Sequence, residues 1–173
     1  MTRPVDGAVR GDLAEVFRRD YRLVVAVASR VLGSADQAED VAQEVFLTFA
    51  RSRVPAEQAR GWLSVAAAHT ALNVLRSGRR RSTREEAASA RSGDDVTADV
   101  ADAVVTSEER SRVRAALARL PRKQATALVL RHSGLSYADV ASALDMSPGS
   151  VGTTVRLAEL ALRKEMDREA TPR

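Results

Sequence analysis

Residues 135–164 read L-S-Y-A-D-V-A-S-A-L-D-M-S-P-G-S-V-G-T-T-V-R-L-A-E-L-A-L-R-K. Their types and spacing suit contact with a duplex. Ser136 followed three residues later by Asp139 is a capping pair, and Val140, Ala141 and Leu144 repeat at helical spacing. Asp145-Met146-Ser147 breaks that run, and Asp is one of the few non-glycine residues that accept a left-handed turn conformation. Ser147 then caps a second helix with Pro148 in its first turn, where a missing N–H costs nothing. Val151 and Val155 face back to the first helix. Ser150, Thr153, Thr154 and Arg156 are left outward, and with Ser136 they form the candidate contacts to base edges and phosphates. Two helices at a tight turn, the second offered to a major groove, is the expected arrangement. An ordinary helical hairpin is the plain alternative.

Catalytic and metal chemistry find no support. The chain has no cysteine, no glycine-rich phosphate loop and no nucleophile beside a base. Its two histidines, His69 and His132, have no partner at ligand spacing. The expectation is a non-enzyme with no cofactor and no metal.

The 173 residues allow one domain or two small ones. Aromatics make up only 3%, so a core must come from Ala, Val and Leu, which favours helix on helix. Neither a signal peptide nor an apolar run of membrane length is visible, so a cytoplasmic protein without membrane insertion is expected. The net charge of +4 is unevenly spread. Residues 1–81 hold 13 basic and 9 acidic residues, 82–107 hold 2 and 6, and 108–173 hold 12 and 8. Two basic blocks flank an acidic strap, which fits a nucleic-acid partner.

Along the chain, residues 12–32 show a stripe of Leu13, Phe17, Tyr21, Val24, Ala28, Val31 and Leu32, closed by Gly33. Ser34 and Gln37 open the next helix, whose apolar face includes Ala38, Val41, Ala42, Val45, Phe46 and Phe49. Its first turns gather Asp36, Glu39, Asp40, Gln43 and Glu44, partly explained by the helix dipole. Arg51 and Arg53 lie in a loop ended by Pro55. A third helix spans 57–77, with Trp62, Val65, Ala66 and Leu72 on one side, and stops at Gly78 before Arg79, Arg80 and Arg81. Residues 82–107 are small and acidic and read as a flexible linker. Helices over 108–120 and from Pro121 to Gly134 lead into the helix-turn-helix. The fold class is therefore all-α: two small helical domains, 1–81 and 108–173, joined by a flexible acidic linker.

Residues 35–46, A-D-Q-A-E-D-V-A-Q-E-V-F, resemble the D-A-E-D-(L/V)-x-Q-E-x-F signature of region 2 in extracytoplasmic-function sigma factors of the sigma-70 family. Residues 62–76, W-L-S-V-A-A-A-H-T-A-L-N-V-L-R, look like that family's W-L-x-x-I-A-x-N-x-x-x-D-x-x-R helix. Residues 116–144 are similar to region 4, and S-V-G-T at 150–153 continues it. The resemblance covers about three quarters of the chain, in family order.

The resemblance implies a partner-dependent promoter reader. Asp36, Glu39, Asp40, Gln43 and Glu44 would dock on core RNA polymerase. Arg51, Arg53, Arg60, Trp62, His69, Asn73 and Arg76 would hold the −10 element open, by stacking and by cations on the backbone. Ser136, Ser150, Thr153, Thr154 and Arg156 would engage the −35 element of promoter DNA. An anti-sigma factor is the implied regulator. Two departures stand out. Ala68, His69 and Asn73 occupy positions where members carry Arg, Asn and Asp. The second helix of the turn motif carries only Arg156 in its first turns, followed by Leu157, Glu159 and Leu160. A stand-alone dimeric helix-turn-helix regulator and a decoy that binds polymerase or a regulator without opening promoters are the alternatives.

Overall fold

The computed structural model describes residues 10–88 and 100–170. Among these residues all regular structure is helical: α1 (Leu13–Leu32), α2 (Ala35–Ala50), α3 (Ala56–Ala88), α4 (Val100–Arg119), α5 (Arg122–His132), α6 (Tyr137–Ala143) and α7 (Pro148–Ala170).

Local signals set most of the boundaries. Gly33 takes φ 68° and returns its N–H to the Ser29 carbonyl, ending α1 as a left-handed cap. Ser34 is extended, and its side chain accepts the Gln37 N–H to start α2. Ser136 and Asp139 form a complete capping box at α6. Asp145 sits at φ 51°, the one described non-glycine residue with positive φ.

The first bundle packs α1, α2 and α3 around Val24, Val27, Val31, Val45, Phe49 and Leu63, all at most 2% exposed. The second packs α4 to α7 around Leu130, Leu135, Val140 and Val151. The two meet along α3, which touches α4, α5 and α6 as well as α1 and α2.

Four sequence expectations shift. Helix α3 continues to Ala88 instead of stopping at Gly78. Gly78 does not adopt positive φ, so it makes no left-handed cap, and a helix can pass through it at the cost of about 1 kcal/mol. With α4 starting at Val100, helix enters the 82–107 stretch from both sides; residues 89–99 of that expected linker lie outside the described residues. The buried face of α3 runs through Ala59, Leu63, Ala67 and Ala71; of the side expected inward, Leu72 is fully buried, while Trp62, Val65 and Ala66 are only partly buried against the core. Finally, Phe17 is 43% exposed. It stacks with Tyr21 and Phe46 at centroid distances of 4.7 and 4.9 Å on the rim of the bundle.

Candidate nucleic-acid interface

The helix-turn-helix is built as its residues dictate. Ser136 Oγ accepts the Asp139 N–H at 3.0 Å and donates to Asp139 Oδ2 at 2.7 Å, while the Ser136 N–H donates to the same carboxylate at 3.2 Å. These bonds favour the ionised form, so the Asp139 carboxyl lies below the usual carboxylate range. Met146 N–H reaches back to the Ala141 carbonyl at 2.9 Å, closing the turn. Ser147 and Ser150 share a hydroxyl hydrogen bond of 2.6 Å at the start of α7. Val151, Val155 and Ala158 are buried, which leaves Ser150, Thr153 and Arg156 exposed and Thr154 half-buried. Glu159, an awkward charge for a phosphate-facing helix, leans toward His132 of α5 at 3.7 Å.

Asp36, Glu39, Asp40, Gln43 and Glu44 are all exposed on the outer side of α2. None of the four carboxylates has an ion-pair partner among the described residues. Leu47, one turn beyond Gln43 and Glu44, is 61% exposed. Its run of apolar neighbours makes it look like core in the sequence. Helical phase, with Val45, Phe46 and Phe49 already turned inward, is the signal that sets it outside.

Residues assigned by resemblance to the −10 element separate into two groups. Arg51 and Arg53 are exposed in the α2–α3 loop. There Ser52, the hydroxyl between them, donates to the Phe49 carbonyl at 2.8 Å and accepts the Val54 N–H at 3.3 Å. Trp62, His69, Asn73 and Arg76 lie along the side of α3 that meets the second bundle, and Arg60 reaches from another side of the helix toward α1. Arg60 Nη1 lies 3.6 Å from the fully buried Asp20 carboxylate. Trp62 packs on Phe49 with ring centroids 5.8 Å apart. Both line a cleft of about 550 Å³ between α3 and α6, with Gly61, Asp139 and Ala143.

Further along α3 the contacts tighten. Asn73 Oδ1 accepts from Arg122 of α5 at 2.8 Å. Arg76 donates to the Ala118 and Leu120 carbonyls at 3.0 and 2.9 Å, and Arg79 donates to the Ala115 carbonyl. The Ala118 and Leu120 carbonyls lie at and just past the C-terminal end of α4, where no intrahelical N–H remains and the dipole is negative. Burial holds the His69 imidazole below its ordinary value of 6.5, with the charges of Arg122 and Arg76 acting in the same direction. Ala68 is fully buried, so the departure there is a core position. Sequence reasoning missed Asp20 and Arg122, because their partners lie about 40 to 50 residues away in the chain.

Among the described residues no group of three His, Asp or Glu is placed to hold a metal, and no helix is long and apolar enough to cross a membrane.

Comparison with known proteins decides the family. Sigma-70 region 2 matches residues 16–81 and sigma-70 region 4 matches residues 110–162. An ECF RNA polymerase sigma factor SigK from Mycolicibacterium vanbaalenii is 32% identical over 160 residues, spanning 87% of this chain and 82% of the relative. The chain belongs to the sigma-70 family, as an extracytoplasmic-function sigma factor. The SigK of Mycobacterium tuberculosis H37Rv is 28% identical over 175 residues, covering 96% of this chain and 92% of that protein. Among solved structures, the sigma factor RpoE of Bartonella quintana, crystallised with the anti-sigma factor NepR, overlays with a TM-score of 0.52 at 19% identity. That overlay covers 91% of this chain and 98% of the other, and it speaks to the fold alone. As a sigma factor the chain directs transcription initiation.

Proposed function

We propose that this sigma factor docks on core RNA polymerase through the outer face of α2 and carries the enzyme to promoters in the cytoplasm. The observation that carries this reading is the exposed row of Asp36, Glu39, Asp40 and Glu44, without ion-pair partners among the described residues, in one chain with a helix-turn-helix. Exposed carboxylates without partners add little to folding and are free to meet a basic surface. Residues 1–81 supply the polymerase and −10 contacts, and 108–173 supply the −35 contacts through Ser136, Ser150, Thr153, Thr154 and Arg156. The acidic stretch between them serves as tether. Strand opening needs no catalytic group: Arg51, Arg53, Arg60, Trp62, His69, Asn73 and Arg76 hold unpaired bases and backbone. An anti-sigma protein is the expected regulator.

The test is run-off transcription with core polymerase and a promoter-bearing template. Promoter-dependent transcripts are expected only when this protein is added. No change in start sites would overturn the reading. Asn73 and Arg76 are engaged with the second bundle, which gives one specific reason to keep the decoy reading. Core binding without permanganate-reactive thymines at the start site would establish the decoy.

A further inference from the structure

Helix α7 presents an unusual outward stripe for a helix of this kind. Ser150, Thr153, Leu157, Leu160 and Lys164 succeed one another at three- and four-residue steps and so share one face. Leu157 is 50% exposed and Leu160 is 51% exposed. The opposite face, Val151, Val155 and Ala158, is already spent on the core. Half of each leucine therefore faces water on the very surface that a helix-turn-helix lays against base edges.

Guanine is read in a major groove by Arg or Lys bonding O6 and N7 together, whereas thymine offers a C5-methyl that takes apolar contact. Between Pro148 and Val155 this helix has no cation. Arg156, its first, points about 100° around the helix from Leu157. What the stripe offers a base pair between Thr153 and Leu160 is methyl and methylene surface, flanked on one side by Arg156 and Arg163 and closed at its C-terminal end by Lys164, all three exposed. Those cations suit the phosphates along one edge of a groove.

We propose that Thr153 and Leu157 read the C5-methyl groups of thymines, so that the upstream promoter element is chosen by apolar contact rather than by hydrogen bonds to guanine. The two residues are four apart, about 6 Å along the helix axis, or about two base-pair steps. The selected thymines then lie on neighbouring or next-but-one pairs. Arg156, Arg163 and Lys164 fix the register on the backbone and carry no sequence information. This rests on the promoter-reading role proposed above.

The experiment uses holoenzyme assembled from the full chain and core polymerase. Association is first checked by gel filtration, and the holoenzyme is then used to select duplexes from a pool randomised across the upstream element. Thymine is expected to be enriched at two positions, with guanine absent from both. Deoxyuridine placed at either thymine, which removes only the methyl, should weaken binding about three- to fourfold. Leu157→Ala should erase the thymine–uracil difference at one position and keep it at the other. Leu157→Arg should move the preference there toward guanine. Guanine enrichment, equal binding of thymine and uracil, or a discrimination that survives Leu157→Ala would overturn the inference while the sigma reading stands. So would Leu157→Ala losing core association instead of base discrimination, because that assigns the leucine to a protein surface. A chain that never joins core polymerase takes both down together.

Discussion

A Cβ built on Gly61 of α3 lies 3.5 Å from the Cβ of Ala143 of α6. The first helix of the DNA-reading motif is thus seated on the start of the helix assigned to the −10 strand. Neither residue carries a side chain beyond one carbon, which permits the approach.

That spacing falls within the Cβ–Cβ range of a disulfide, and the chain has no cysteine of its own. The double variant Gly61→Cys/Ala143→Cys should oxidise to a single compact species on non-reducing gels. Assembled with core polymerase, the oxidised form should open promoter DNA at least about tenfold less than the reduced form, roughly 1.4 kcal/mol, and reductant should restore it. Equal permanganate reactivity of oxidised and reduced forms would show that this contact does not cover the −10 surface.

His69 gives the α3–α5 junction a pH dependence. Its imidazole is held below 6.5 in the folded chain, by burial first and then by Arg122 and Arg76. The open or unfolded chain therefore binds the proton more readily, and stability is complete above 6.5 and is lost as pH falls below it. Thermal melts should show a lower midpoint near pH 5.5 than near pH 7.5. His69→Gln should flatten that difference, and an unchanged slope in the variant would assign it to other groups.

Asp20 is 0% exposed and binds Arg19 at 2.7 Å, with Arg60 at 3.6 Å. Its Oδ1 has no hydrogen-bond partner. Asp20→Ala removes the shared acceptor, but Arg19 and Arg60 are 44% and 53% exposed and regain water. The expected cost is about 1–3 kcal/mol in urea unfolding, well short of stranding a buried cation. A change under about 0.5 kcal/mol, the range of ordinary surface substitutions, would show that the cluster does not hold α1 to α3.

Asp40 is exposed on α2 and makes no ion pair among the described residues. Asp40→Arg should leave the melting behaviour within about 0.5 kcal/mol of the parent and weaken core association about tenfold or more. Unchanged association measured by fluorescence anisotropy would remove α2 from the docking face.

Short-range signals carried most of what the sequence disclosed. The Ser136–Asp139 box, the Gly33 stop and the left-handed Asp145 each involve residues within four positions of one another, and all are seen as expected. Helix α3 was harder. Its middle is so rich in alanine that apolar residues run all the way round it, and it is tertiary packing that buries Leu63 fully and Trp62 only in part. Gly78 illustrates the same limit, since a glycine ends a helix only when the chain adopts positive φ there. The placement of His69, Asn73 and Arg76 against the second bundle depends on partners in α4 and α5, beyond the reach of any local pattern.

The acceptors that hold Arg76 are neutral carbonyls of a helix end and not carboxylates. Were the two bundles to part, no orphaned acid would be left behind at Arg76, and the exposed oxygens would rehydrate. The guanidinium would leave with its full positive charge. A cation held on peptide dipoles is fastened without a paired charge, so a phosphate with its full negative charge would compete for it better than a neutral surface would.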